Sequence, residues 1–346
     1  MDFAAAPLGL MEIPYPRMDP VALELPGGFA IRWYGIGFMV AFAAGYAILR
    51  RLARRGFVPM PPDKSGDFIF TLIVGVILGG RLGYILFYDF ASFAANPLRI
   101  IRIWEGGLAF HGGFAGAIAA AWWYARKHGI PCLRLGDCIT LGVTPGIFAV
   151  RMANFINGEL YGRVTTEAVP WAMRFPTDPV GMRLTGAAAG RTMRERELLI
   201  ERAYETGLWE QVRDQVPLRH PSQLYEGLTE GLLLGLVMWA LYTWNRRRGR
   251  DLAPGMYGGV FVLGYGLMRS LMELFRQPDA QFTDAGDPVG TVLGPLTMGQ
   301  TLSLAMIVLG IFLIVRGVRI GAGPAGGAGG GGDGRGGAVG GAGRAA

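Results

Sequence analysis

The sequence predicts an all-α, polytopic membrane protein with about seven transmembrane helices. Three observations predict it. Of 346 residues, 51% are apolar and 17% charged. The apolar residues fall in long runs rather than in the amphipathic stripes of a soluble domain. Lys and Arg gather at the ends of alternate runs, the asymmetry that orients membrane helices. That asymmetry also accounts for the net charge of +7 without a nucleic-acid partner.

The candidate spans are 29–51, 66–88, 108–126, 136–156, 222–244, 256–275 and 296–316, each near the ~20 residues that cross the hydrocarbon core. Pro145, with Thr144 and Gly146, interrupts the fourth, and such a break needs neighbours that satisfy the backbone. Basic clusters follow spans one, three, five and seven: Arg50, Arg51, Arg54 and Arg55; Arg126, Lys127 and Arg134; Arg246, Arg247, Arg248 and Arg250; Arg316 and Arg319. They outnumber the basic residues of the other side, which places the N-terminus in the periplasm and the C-terminus in the cytoplasm. No basic start followed by an apolar core marks a cleavable leader in the first thirty residues.

The chain then divides into an N-terminal periplasmic segment (1–28), helices one to four (29–156), a periplasmic loop or arm (157–221), helices five to seven (222–320) and a Gly-rich cytoplasmic tail expected to be disordered (321–346). Within the arm, 191–216 is charge-rich with a rough helical period, which suits a solvated surface helix or a gate. Cys132 and Cys138 are too few for a disulfide framework and are placed in a short basic cytoplasmic loop, reduced. Glycines repeat at four (Gly75, Gly79, Gly83; Gly112, Gly116; Gly227, Gly231, Gly235), which reads as close helix packing in lipid. Gly112 and Gly113, beside His111, are singled out as bare backbone that a ligand could approach.

Polar residues inside spans are expensive and need partners or a task. On the predicted orientation they share one depth, the outer half: Arg32, Tyr34, Arg81, His111, Arg151, Asn154, Asn157, Glu226, Glu230, Tyr265, Arg269, Glu273 and Arg276, with His220 and Gln223 around the start of the fifth span. Tyr265, Arg269, Glu273 and Arg276 are spaced to form one stripe of a helix. Arg81, Arg151, Arg269 and Arg276 set against Glu226 and Glu273 leave a positive surplus, and guanidinium forks suit phosphate. The expectation is a shared polar cavity that holds an anionic group at membrane depth. An Arg269–Glu273 ion pair that merely neutralises charge is the plain alternative, as is snorkelling of Arg151. Two histidines without a third spaced ligand do not make a zinc site. No Walker loop, nucleophile elbow or dinucleotide fingerprint stands out.

At these residues the chain resembles a known family. WYG (33–35), GGLAFHGGF (106–114), NFINGELYGR (154–163), HPSQLYE (220–226) and YGLMRSLMELFRQPDAQF (265–282) are similar to the motifs of the prolipoprotein diacylglyceryl transferases. The likeness runs over about 25–320, with Ala153 in place of a usual Gly and Tyr161 where Trp is common. It implies a bacterial inner-membrane enzyme, with phosphatidylglycerol and lipobox-containing prolipoproteins as partners. Diacylglyceryl would pass to the lipobox cysteine thiol as a thioether, and glycerol phosphate would leave. It implies no metal and no cofactor, and the expected state is a monomer. The matching site positions are Tyr34, His111, Arg151, Asn154, Glu159, Gly162, Tyr265, Arg269, Glu273 and Arg276, with His220 in a further motif.

A thiol of pKa ~8.5 needs a base, and His111 is the first choice, His220 the second. Arg151 and Arg269 are expected to clamp the phosphate with Asn154 donating, Glu273 orienting Arg269 and Glu159 fixing the mouth. A transporter of an anionic solute would also want Arg and Glu at membrane depth, but should show paired broken helices in two related halves. A non-catalytic lipid-binding protein would explain the arginines and leave the two histidines without a reason.

Overall fold

The computed structural model describes residues 13–26, 29–102, 107–278, 287 and 290–324. The expected disordered tail falls almost wholly at 325–346, outside the described residues. So do 1–12 of the N-terminal segment, Gly106 and 279–282 of the last motif.

A hairpin of β1 (Val21–Leu25) and β2 (Phe29–Arg32) leads into α1 (Trp33–Arg54), α2 (Ser65–Tyr88), the short α3 (Phe90–Ala95), α4 (Phe110–Lys127) and α5 (Cys132–Ile156). A head follows with α6 (Pro179–Leu184), α7 (Met193–Glu205) and α8 (Leu208–Val212). Then α9 (Ser222–Glu226) passes through a π-helical stretch, Gly227–Leu233, into α10 (Leu234–Arg247). The last two helices are α11 (Met256–Met272) and α12 (Met298–Ile320). Among the described residues, five stretches are long and apolar enough to cross a membrane: Trp33–Arg54, Pro62–Tyr88, Cys132–Ile156, Ser222–Arg247 and Met298–Ile320. The expected spans at 108–126 and 256–275 appear as α4 and α11, helices of 18 and 17 residues.

The helices pair through small residues because lipid offers no hydrophobic drive for larger ones to meet. On α2, a Cβ at Gly79 would sit 2.3 Å from the Gly112 carbonyl of α4, and one at Gly116 would sit 2.0 Å from the Gly75 carbonyl. Leu78, Leu82 and Leu86 on the same helix are exposed, as a lipid-facing side requires. Gly112 therefore carries helix packing, and the ligand approach suggested for Gly112 and Gly113 is corrected: α2 occupies that space, with the Val76 carbonyl against Gly113.

Two further expectations change. The helix with Pro145 is continuous from Cys132 to Ile156. The irregular backbone lies instead at Gly227–Leu233, where wider i→i+5 turns carry the Glu226 and Glu230 region past α5. Both cysteines are free and belong to α5 rather than to a loop, Cys138 being buried.

One end of the bundle is a packed core. Leu49 and Leu52 of α1, Phe57, Phe68 of α2, Tyr124 of α4, Leu135 and Leu141 of α5, Met238 and Tyr242 of α10 and Tyr257 of α11 form one cluster. Asp137, fully buried, accepts from the backbone N–H groups of Gly255 (2.9 Å) and Gly258 (2.8 Å), so it caps the start of α11. At the opposite end the chain folds back. The Tyr15 hydroxyl lies 2.7 and 2.9 Å from the Phe155 and Ile156 carbonyls at the last turn of α5. The arm does contain a helix: α7 opens with a capping box of Thr192 and Glu195. It is tied to the N-terminal hairpin by Arg32–Glu197, Arg17–Glu201 and Arg194–Glu24 ion pairs.

Candidate active site

The candidate residues gather where α5 ends. Gly158 (φ 65°) and Leu160 (φ 56°) turn the chain sharply after Asn157. Glycine adopts that conformation freely, while Leu160 is a strained exception. The turn brings Glu159 back over the helix, where its Oε1 accepts from Asn154 Nδ2 (2.9 Å) and Asn157 Nδ2 (3.3 Å). The start of α9 holds the same loop: Gln223 Nε2 donates to the Glu159 carbonyl (2.6 Å) and Ser222 Oγ to the Leu160 carbonyl (3.0 Å). Tyr34, on the first turn of α1, lies beside Asn154, Arg151 and Glu159.

Three arginines lie under this loop, each on a carboxylate. Arg151 Nη1 is 2.8 Å from Glu226 Oε2, and its Nη2 is 3.5 Å from Glu230 Oε2. Arg276 Nη1 reaches the other oxygen of Glu226 at 3.4 Å. Arg269 Nη1 is 2.6 Å from Glu273 Oε2. Glu226 and Glu230 are fully buried. Tyr265 neighbours Arg151 and Glu230 from α11. Glu273 accepts from Thr297 Oγ1 (3.0 Å), the residue that also caps α12 through Gln300 N (3.2 Å). Removing two charges from water costs several kcal/mol per ion unless each is paired and hydrogen-bonded. The pairing is therefore a condition of the fold, and the side-chain oxygens of Glu230 nevertheless lack a well-aligned hydrogen bond.

Gly162 joins the groups. Its N–H donates to the His220 carbonyl (2.7 Å), it bridges to Arg276, and a Cβ there would lie 2.3 Å from the Phe275 carbonyl. Glycine is required for that close approach. Arg219 holds the neighbouring strands, with Nε 2.5 Å from Asp178 Oδ2 and its guanidinium over the Tyr161 ring at 4.9 Å. Burial, followed by the Asp178 charge, pushes the Tyr161 hydroxyl up to about 12. Burial lowers the proton affinity of His220, favouring the neutral ring.

The structure thus brings together Tyr34, Arg151, Asn154, Glu159, Gly162, His220, Glu226, Tyr265 and Arg276, with the Arg269–Glu273 pair alongside. Three readings are corrected. Arg81 is not part of the cluster: it donates to the carbonyls of Ile100, Arg102 and Gly107 (3.2, 3.1 and 3.2 Å). With Glu230 counted and Arg81 elsewhere, three arginines meet three carboxylates, so the positive surplus disappears. The four-residue stripe is also broken, because α11 ends at Met272 and Arg276 lies beyond it. Where the polar cavity was expected, the charged side chains stand in ion pairs. Beside it opens an apolar cleft of about 600 Å³ between α1, α5 and the π-helical stretch, lined by Trp33, Val40, Pro145, Phe148, Met152 and Trp239 among others. His111 begins α4 exposed, its ring edge-on to Phe110, with no side-chain hydrogen bond or ion pair among the described residues.

Sequence reasoning placed Glu230 and Gln223 in the polar band without giving either a task, and gave no role to Ser222, Thr297, Tyr225 or Trp171. The i,i+4 spacing of Glu226 and Glu230 in an apolar run was the available signal for the first; the others are polar residues at helix starts or in the head, indistinguishable from caps.

An apolar helical bundle with buried arginine–carboxylate pairs and a histidine at one end defines a polytopic membrane protein with polar groups that lipid alone would not keep. Comparison with known proteins narrows that class. The sequence model of the prolipoprotein diacylglyceryl transferases matches residues 20–316, and the chain belongs to that family. It is 41% identical over 316 residues to the phosphatidylglycerol–prolipoprotein diacylglyceryl transferase of Ruegeria pomeroyi, covering 87% of this chain and 96% of that protein. The protein of that name from Bradyrhizobium diazoefficiens is 40% identical, with 90% and 95% covered. The one from Neisseria meningitidis is 40% identical, with 88% and 97% covered.

Proposed function

We propose that this chain transfers the diacylglyceryl group of phosphatidylglycerol to the thiol of a lipobox cysteine in a prolipoprotein. The supporting observation is the Arg151 fork, held on Glu226 and Glu230 within hydrogen-bond distance of one carboxylate, in a chain about 40% identical over nearly its whole length to transferases of that name. Seven helices span the bacterial inner membrane: the five long apolar stretches together with α4 and α11. The N-terminus is periplasmic, the C-terminus cytoplasmic, and the site faces the periplasm. The enzyme acts as a monomer.

The chemistry is a displacement at the glyceryl carbon that carries the phosphate ester. The C–S bond forms as the C–O bond breaks, the thiol proton passes to a base (His111 or His220), and glycerol phosphate leaves with the bonding electrons. Charge grows on the departing phosphate, so donors fixed in advance lower the barrier. Lipid phosphate replaces Glu226 on the Arg151 and Arg276 guanidiniums, Arg269 completes the clamp with Glu273 behind it, and Asn154 donates from the Glu159 loop. Tyr34 and Tyr265 flank the headgroup. The apolar cleft beside α5 accommodates acyl chain. The nucleophile is the substrate's, so Cys132 and Cys138 take no part.

The test uses purified full-length protein, phosphatidylglycerol vesicles and a lipobox peptide. A peptide that gains the diacylglyceryl mass, with glycerol phosphate released in equal amount, supports the assignment. An unmodified peptide from folded protein rejects it.

A further inference from the structure

Three groups outside the arginine cluster form a chain of hydrogen bonds at the rim of the site. Trp171 Nε1 donates to Tyr225 Oη at 2.5 Å, and Tyr225 Oη lies 3.1 Å from His220 Nδ1. The imidazole is packed against Phe275, ring centroids 5.3 Å apart at 70°, and Phe275 also meets Tyr225 at 5.7 Å. The contacts hold the ring with Nδ1 on the phenol.

The direction of this chain follows from what each group can do. An indole N–H donates and never accepts. The phenol oxygen, already accepting from Trp171, satisfies its own proton by pointing it at His220 Nδ1. In the reverse arrangement Nδ1–H would donate, the phenol would accept twice, and its O–H would have no acceptor among the described residues; only the first arrangement uses every donor within the chain of contacts. A neutral imidazole with Nδ1 accepting carries its proton on Nε2.

We infer that Trp171 and Tyr225 are positioning residues that lock His220 in the Nε2–H tautomer, so that His220 is a hydrogen-bond donor to an anionic oxygen of the substrate and not the base for the thiol. Burial reinforces this, since it disfavours the charged ring. The anionic oxygen is that of the lipid phosphate or of the departing glycerol phosphate, and Gly162 sets His220 beside Arg276, which reaches the same ligand. His111, exposed and without a hydrogen-bonded partner among the described residues, keeps a free ring nitrogen for the thiol proton. The substrate named here rests on the proposed transferase function; the tautomer does not.

The experiment has two arms on the full-length protein in detergent. Long-range ¹H–¹⁵N spectra of histidine-labelled protein, with His220→Gln assigning the resonance, should show protonated Nε2 and bare Nδ1, and Tyr225→Phe should shift the ring toward a mixture of tautomers. Protonated Nδ1 in the wild type, or a spectrum indifferent to Tyr225→Phe, overturns the proposal. In the transfer assay, His220→Gln, whose side-chain amide reproduces a donor near Nε2, should keep turnover within about tenfold of wild type. His220→Ala should lose about a hundredfold, the scale of one removed donor. Equal inactivity of the Gln and Ala variants makes His220 the base, and equal full activity gives it no role; either overturns the donor assignment. If the wild type transfers nothing, the function reading has failed, and the spectra still decide the tautomer. If His220→Gln does not fold, the Tyr225→Phe spectrum carries the decision.

Discussion

The two ends of this bundle solve the same problem differently. At one end Asp137, equally buried, is satisfied by two backbone N–H groups at the start of α11, in a cluster of Leu, Phe and Tyr side chains. At the other, Glu226 is paired with Arg151 and Arg276, and Glu230 with Arg151, through side chains rather than backbone. A carboxylate held by backbone cannot trade its partner without opening a helix. A carboxylate held by a guanidinium can, because a second anion offers the same bidentate geometry. The difference sets a carboxylate fixed by backbone at one end against carboxylates held by side chains at the other, the end where the proposed function has anions exchange.

Substitutions that treat the ends alike should give unlike results. The largest effect is expected for Arg151→Gln, which removes the fork: transfer should fall about a hundredfold to a thousandfold, measured as lipidated peptide per folded molecule. Turnover near wild type would remove Arg151 from the clamp. Gly162→Ala should follow. Its methyl would meet the Phe275 carbonyl, displacing the two segments that carry His220 and Arg276, and a shift of that kind costs about a hundredfold in rate; an active, equally stable variant would show that the approach is not required.

Asp137→Ala tests the other end. It should lower stability by about 1–3 kcal/mol, as when buried donors lose their acceptor, while transfer per folded molecule stays within about twofold. A large loss of rate with an unchanged melting midpoint would couple the two ends and break the distinction. The smallest expected effect is a pH dependence. Burial lowers the folded-state proton affinity of His220, so the unfolded chain takes up the proton first as pH falls. The contribution is fully present above the ordinary imidazole value of about 6.5 and is lost as pH drops through that value toward the folded one. Melting midpoints of wild type and His220→Gln should therefore diverge over that window, and parallel curves would assign the acid sensitivity elsewhere.

Much of the architecture was legible in the chain because a membrane leaves few options. Backbone must close its hydrogen bonds within a helix, so long apolar runs mark their own ends, and α2, α5 and α12 begin within a few residues of expectation. Glycine repeats marked faces of α2 and α4 for close packing for a similar reason, without saying which helix each would meet. Site residues were visible as polar groups at one depth. Their partners were not: Glu226 meets Arg151 and Arg276 across three separate elements. Arg81 illustrates the converse, since a buried guanidinium can be satisfied by carbonyls just as well as by carboxylates.

By itself the sequence determined the kind of solvent this protein lives in, the places where its chain turns, and which side chains are too polar to lie in lipid without purpose. Those are one-dimensional properties, set by runs and spacings. Tertiary structure decided which arginine faces which carboxylate, that the cluster is balanced rather than positive, and which side chain meets Nδ1 of His220. Such facts depend on distances in space rather than on spacing along the chain, and the last of them rests on a single hydroxyl, that of Tyr225.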